Sequence, residues 1–166
     1  CEARLAAAMR TRCFGGGGSG GSQVGQGLAA RPAWEVAVVG GGTHVEARQS
    51  PGLRLITDDG EVHRTFHQAV QNPAELAPHD IVIVTLKAMA LPGQAQAIAQ
   101  LRAADGVVLL INNGSPWWWN YPATAQTAAD TLPLLDPQAE LWQNLGPEHV
   151  VAGIAYTPNE LLAPGV

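Results

Sequence analysis

The sequence predicts an α/β fold in which a mainly parallel sheet carries flanking helices. Three observations lead there. The aliphatic runs at residues 36–39, 80–86 and 107–111 lack the apolar–polar alternation of a half-exposed strand, as strands buried on both faces do. Segments with helix-compatible spacing lie between several of them. Near the amino end, a short strand, a glycine-rich stretch, a helix and a second strand follow one another within about 30 residues, the order of a βαβ unit.

Met9 reads as a natural start, which leaves residues 1–8 as a poorly ordered upstream extension and 9–166 as one domain. Thr11-Arg12-Cys13-Phe14 is a short, charged first strand, and residues 24–30 form a short helix that Pro32 interrupts, because proline lacks the needed N–H. The second strand, 36–39, stops at Gly40-Gly41-Gly42. Residues 53–57 and 61–66 flank Asp58-Asp59-Gly60, whose Asp-Gly step supplies the positive φ of a tight hairpin. The buried strand 80–86 ends in Thr85-Leu86-Lys87, a candidate ligand-facing edge. From 92 to 102 the spacing of Ala95, Ile98, Ala99 and Leu101 gives an amphipathic helix, and the strand 107–111 runs into Asn112-Asn113-Gly114. Residues 123–137 show no period and read as a loop or a poorly packed turn, 140–145 as a helical turn, and 150–156 as the last strand. The chain then reaches Val166 without a closing element, as a fragment would.

Composition narrows the function. With 46% hydrophobic and 14% charged residues the 166-residue chain can bury a core. Fourteen acidic against nine basic side chains leave a charge of −5, the wrong sign for holding a polyanion, so no nucleic acid is expected as partner. No apolar run reaches the roughly 18 residues of a membrane span, and the amino end lacks a secretory core, so a soluble cytoplasmic protein is expected. Cys1 and Cys13 are too few for a disulfide framework and read as reduced thiols.

The stretch FGGGGSGGSQVGQG admits two readings. GGGGSGGS suits a flexible tether. Taken as GxGxxG, Gly16-Gly17-Gly18-Ser19-Gly20-Gly21 gives a tight turn at Gly16, backbone approach to a pyrophosphate at Gly18 and close helix packing at Gly21. The strand–helix–strand order around it favours the phosphate loop, although the pattern by itself is weak in so glycine-rich a tract. The second strand ends without the acidic residue that would accept from ribose hydroxyls and repel a 2′-phosphate, a mild preference for NADP. Lys87 is either a cation at the ligand edge or a lysine reaching solvent from a strand end. Asn113 is either an amide that donates and accepts at a ligand or part of an Asn-Gly turn. His63 and His67 lack matching acidic or sulfur ligands, so no metal site is expected. Trp117-Trp118-Trp119 suits packing or an interface better than base stacking. No G-x-S-x-G nucleophile occurs.

In their order these motifs resemble the ketopantoate reductase (2-dehydropantoate 2-reductase) family, specifically its amino-terminal NADP-binding domain, from about Arg10 to Val166. The resemblance rests on Gly16 to Gly21, Val84-Thr85-Leu86-Lys87-Ala88, Asn112-Asn113-Gly114-Ser115-Pro116-Trp117-Trp118, and Leu141-Trp142 leading to Val150-Val151-Ala152-Gly153. It implies a Rossmann-like fold and reduction of a 2-oxo acid to a 2-hydroxy acid by NADPH, as in pantothenate synthesis. Gly16, Gly17, Gly18, Ser19, Gly20 and Gly21 would hold the pyrophosphate, Lys87 would lie near NADP(H), and Asn113 would position nicotinamide and substrate. The resemblance also implies a second, helical domain carrying a general-acid lysine, absent here, so no catalytic residue is assigned to this chain. The expected partners are a small-molecule 2-oxo acid and either a second copy in a homo-oligomer or that C-terminal domain. The chain departs from the family at Gly41, where an arginine for the 2′-phosphate is usual, and in its short, charged first strand. A non-catalytic nucleotide-binding or partner-docking module is the alternative.

Overall fold

The computed structural model describes residues 9–14, 19–30, 34–41, 52–121, 131–156, 160 and 162. Its elements are β1 (Met9–Phe14), α1 (Ser19–Ala29), β2 (Trp34–Val39), β3 (Leu53–Thr57), β4 (Gly60–Arg64), β5 (Gln68–Val70), β6 (His79–Val84), α2 (Ala95–Leu101), β7 (Arg102–Ile111), α3 (Glu140–Leu145) and β8 (Val150–Gly153). One six-stranded sheet has the order β5-β2-β1-β6-β7-β8, and every neighbouring pair in it is parallel. The chain winds outward from β1 to β5, returns to the centre at β6, and winds outward again to β8. That is the doubly wound, Rossmann-like order.

Burial on both faces explains the uninterrupted aliphatic runs. Ala37, Val39, Val82, Val84, Val108 and Leu110 pack with Ile98 and Leu101 of α2 and Leu141 and Leu145 of α3. Their neighbours along the strands, Val38 and Ile83, turn to the opposite face, where Val24 and Leu28 of α1 meet them with Ile81, Leu109 and Ile111. Successive strand residues point to opposite faces, so each face needs its own apolar cover.

α1 starts at Ser19, ahead of the expected residue 24. Its sequence SGGSQVGQGLA holds four glycines, each costing about 1 kcal/mol of helix propensity relative to alanine. Tertiary packing sets the start: Val24 and Leu28, one turn apart, seat the helix on the sheet. β3 and β4 form the expected hairpin, though as a separate two-stranded antiparallel sheet. It is tied to α1 by the buried Gln26, whose Nε2 donates to the Val62 carbonyl at 2.9 Å.

A further expectation is corrected. β7 begins at Arg102 instead of residue 107, and its register with β6 shifts between His79 and Ile81. The Arg102 guanidinium holds the irregular stretch together by donating from Nη1 to the carbonyls of Ala103, Ala104 and Gly106. Gly106 fits because a Cβ there would lie 2.8 Å from the His79 carbonyl oxygen. The described part of the stretch expected as a loop or a poorly packed turn, from residue 131, is a loop, and it is firmly built around Asp136, which is 1% exposed. Its Oδ1 accepts from Leu141 N and its Oδ2 from Trp142 N, each at 3.0 Å. Thr131 Oγ1 lies 3.3 Å from the same Oδ2 and 3.1 Å from the Trp117 carbonyl, and donates to one or the other. The carboxylate thus satisfies amides that the first turn of α3 leaves unpaired. Residues 122–130 lie outside the described residues.

Asp136→Asn keeps the shape but turns an NH2 group toward amide donors. It is expected to cost about 2 kcal/mol, as losing a bond to a buried charged acceptor does, and to lower the melting temperature by about 4–8 °C in differential scanning calorimetry.

Candidate functional site

Because the sheet is parallel throughout, all its strands finish at one edge, and register decides which finish side by side. Phe14 at the end of β1 pairs with Val39 of β2 and with Val84 of β6. Val84 pairs in turn with Leu110 of β7, and Ile111 with Gly153 of β8. The segments that follow, Gly40-Gly41, Thr85-Leu86-Lys87 and Asn112-Asn113-Gly114, therefore leave the sheet at the same edge, on either side of β1. Between β1 and β6 the strand order reverses, and such switch points open the crevice in which α/β sheets take their ligands.

Of the glycine stretch, Gly16, Gly17 and Gly18 lie outside the described residues. Ser19, Gly20 and Gly21 open α1. A helix start carries unpaired amide N–H groups and the positive end of the helix dipole, both of which favour an anion. Lys87 is exposed, and its carbonyl accepts from Ala90 N at 2.9 Å, starting a single 3-10 turn over Ala88–Ala90. Asn113 is exposed as well; the residue before it is tied to β8 by Asn112 N donating to the Gly153 carbonyl at 3.3 Å. Gly114 has φ +106°, a backbone that side-chain-bearing residues rarely adopt. The candidate edge Thr85-Leu86-Lys87 carries a further polar group: Thr85 Oγ1 is buried with no hydrogen-bond partner among the described residues.

Other candidates resolve differently. His63 Nε2 lies 2.7 Å from Glu61 Oε1 on the hairpin. His67 instead clamps the start of β2: its Nδ1 accepts from Val36 N at 3.2 Å, and its own N–H donates to the Val36 carbonyl at 3.1 Å. Among the described residues no group of three or more His, Cys, Asp or Glu side chains could hold a metal. Trp117 is 2% exposed and makes edge-to-face contacts with Trp118 and Trp142, at ring separations of 5.0 and 6.1 Å, while Trp119 is exposed. The run is mostly packing. Gly41 follows β2 and is exposed, and a Cβ there would meet nothing within 4 Å among the described residues. No described helix is long and apolar enough to cross a membrane. Two open grooves, of about 450 and 460 Å³, are lined respectively by Arg102, Trp142 and His149 and by Glu35, His67 and His79. Both lie at the amino edge of the sheet, away from Lys87 and Asn113.

The family described as ketopantoate reductase PanE/ApbA matches residues 13–166. A 2-dehydropantoate 2-reductase of Mesorhizobium japonicum is 34% identical over 158 residues, 95% of this chain and 48% of the relative. Among solved structures, a Ralstonia solanacearum protein assigned as a ketopantoate reductase is 29% identical and superposes with a TM-score of 0.82, over 96% of this chain and 48% of that one. A D-mandelate dehydrogenase solved with NADH and anilino(oxo)acetate shares the fold at 22% identity, with a TM-score of 0.69 over 93% of this chain and 43% of that one. The chain thus spans about half the length of the relatives it matches.

Gly114→Ala would force a side chain onto φ +106° without a steric neighbour to blame. It is expected to destabilise the fold by about 1–3 kcal/mol in urea unfolding. An unchanged midpoint would show that the loop after Asn112 relaxes freely.

Proposed function

The chain belongs to the ketopantoate reductase PanE/ApbA family, and on that premise we propose that it is the cofactor-binding half of an NADPH-dependent reductase. The substrate is a 2-oxo acid, 2-dehydropantoate, and the product the 2-hydroxy acid pantoate. The observation that carries this reading is the register at the carboxyl edge: the segments bearing Lys87 and Asn113 leave adjacent strands beside the crevice that α1 enters.

In this reading Gly16 and Gly18 let backbone approach the pyrophosphate, the amides at the start of α1 donate to its oxygens, and Gly21 lets the helix pack close to the sheet. Lys87 sets its ammonium beside the cofactor. The Asn113 amide can donate to one oxygen and accept from another hydroxyl, so it orients nicotinamide and substrate. When bound, NADPH supplies the hydride that reduces the carbonyl carbon. The carbonyl oxygen then gains charge and needs a proton, and none of the residues assigned here serves as the general acid. In this reading the acid is a lysine of a second, helical domain.

NADP is favoured because no carboxylate follows β2 at Gly40-Gly41 to repel a 2′-phosphate. Gly41 supplies no cation either, so NADH is the second reading, and NADH is what the D-mandelate dehydrogenase of the same fold contains.

Titration with NADPH, followed by nicotinamide fluorescence, is expected to saturate. Absence of binding up to millimolar cofactor would leave only the partner-docking alternative. Gly41→Arg, at a position where a Cβ would meet no described residue within 4 Å, is expected to raise the preference for NADPH over NADH; an unchanged ratio would place the 2′-phosphate elsewhere. With 2-dehydropantoate added, NADPH oxidation by this chain alone is expected to stay at background, and turnover above it would contradict the need for a separate acid.

A further inference from the structure

We propose that Thr85 is a cofactor-binding residue whose hydroxyl hydrogen-bonds the phosphate–ribose segment on the nicotinamide side of the dinucleotide; the proposal rests on the function proposed above. Among the described residues, four buried side-chain polar atoms lack partners: Arg54 Nε, Thr85 Oγ1, Arg102 Nε and Trp117 Nε1. Three of them have a local account. Arg54 pairs with Glu61 at 3.5 Å through Nη1, and Arg102 spends its Nη1 on three carbonyls. Trp117 lines a cavity of about 10 Å³ together with Asn112 and Ser115, about the room one water needs.

Thr85 differs in place and chemistry. Along β6, Val82 and Val84 turn to the α2 face and Ile81 and Ile83 to the α1 face. Leu86 packs with the α2-face cluster. The residue between Val84 and Leu86 therefore falls on the α1 face, beyond Ile83, at the edge where α1 begins. β6 lies between β1, which leads into the glycines, and β7, which leads into Asn113. A dinucleotide running from the glycines to Asn113 must pass the end of β6. Valine has the same shape and would leave no unpaired hydroxyl, whose burial costs stability. A freely rotating O–H that can both donate and accept suits a phosphate oxygen or a ribose hydroxyl.

The test compares wild type, Thr85→Val and Thr85→Ser for binding of NADPH and of adenosine 2′,5′-bisphosphate, which lacks the nicotinamide side, together with the melting temperature of each ligand-free protein. Thr85→Val is expected to weaken NADPH about tenfold, the scale of one lost hydrogen bond. It should leave the bisphosphate unchanged and the ligand-free melting temperature equal or higher, and Thr85→Ser should retain affinity for both. If wild type saturates with NADPH and Thr85→Val binds it equally well, this proposal is overturned while the function stands. Equal weakening of both ligands also overturns it, since the hydroxyl would then serve the adenosine side or the fold. Failure of wild type to saturate removes the functional reading itself, and this proposal with it.

Discussion

The parallel pairing of β1 with both β2 and β6 is the interaction on which the remaining architecture depends. A strand at the centre of a sheet, covered on both faces, cannot leave its amides and carbonyls unpaired, and β1 meets that demand with a neighbour on each side. Because it is the strand from which the winding leaves in both directions, the same pairing sets the topological switch point between β1 and β6. The register then carries positions outward: Phe14 level with Val84, Val84 level with Leu110. Lys87 and Asn113, exposed on separate loops, owe their common edge to that ladder.

α1 shows how the ligand edge and stability pull against each other. Close backbone approach to an anion and to the sheet calls for glycine, and glycine is the poorest ordinary helix former. The helix is retained by Val24 and Leu28 against Val38 and Ile83, and by the hairpin that Gln26 fastens to it. The hairpin interrupts the βαβ rhythm, yet it has this packing role beside the glycine-rich helix.

The opposite face is organised around Asp136. This one carboxylate caps α3 and, with Thr131, brings the returning chain back to Trp117. Nothing local marks it, since Asp136-Pro137 reads as an ordinary turn. Its function requires Leu141, Trp142 and Thr131 to converge in space. The tryptophan run is similar: three identical neighbours have three different exposures, because their surroundings, not their chemistry, separate them.

The sequence by itself determined the α/β class, the strands near residues 36–39, 80–86 and 107–111, the hairpin turn and the helix at 140–145. It could do so because burial on two faces writes continuous aliphatic runs and tight turns demand Asp-Gly steps, and both signals are local. It also marked Lys87 and Asn113, each following a buried strand. Tertiary structure alone decided where α1 begins, how β7 passes Gly106, what His67 holds and why Asp136 is buried. It also buried the Thr85 hydroxyl without a partner among the described residues. These depend on contacts between residues far apart in the chain, and a one-dimensional pattern carries no record of which distant groups will meet.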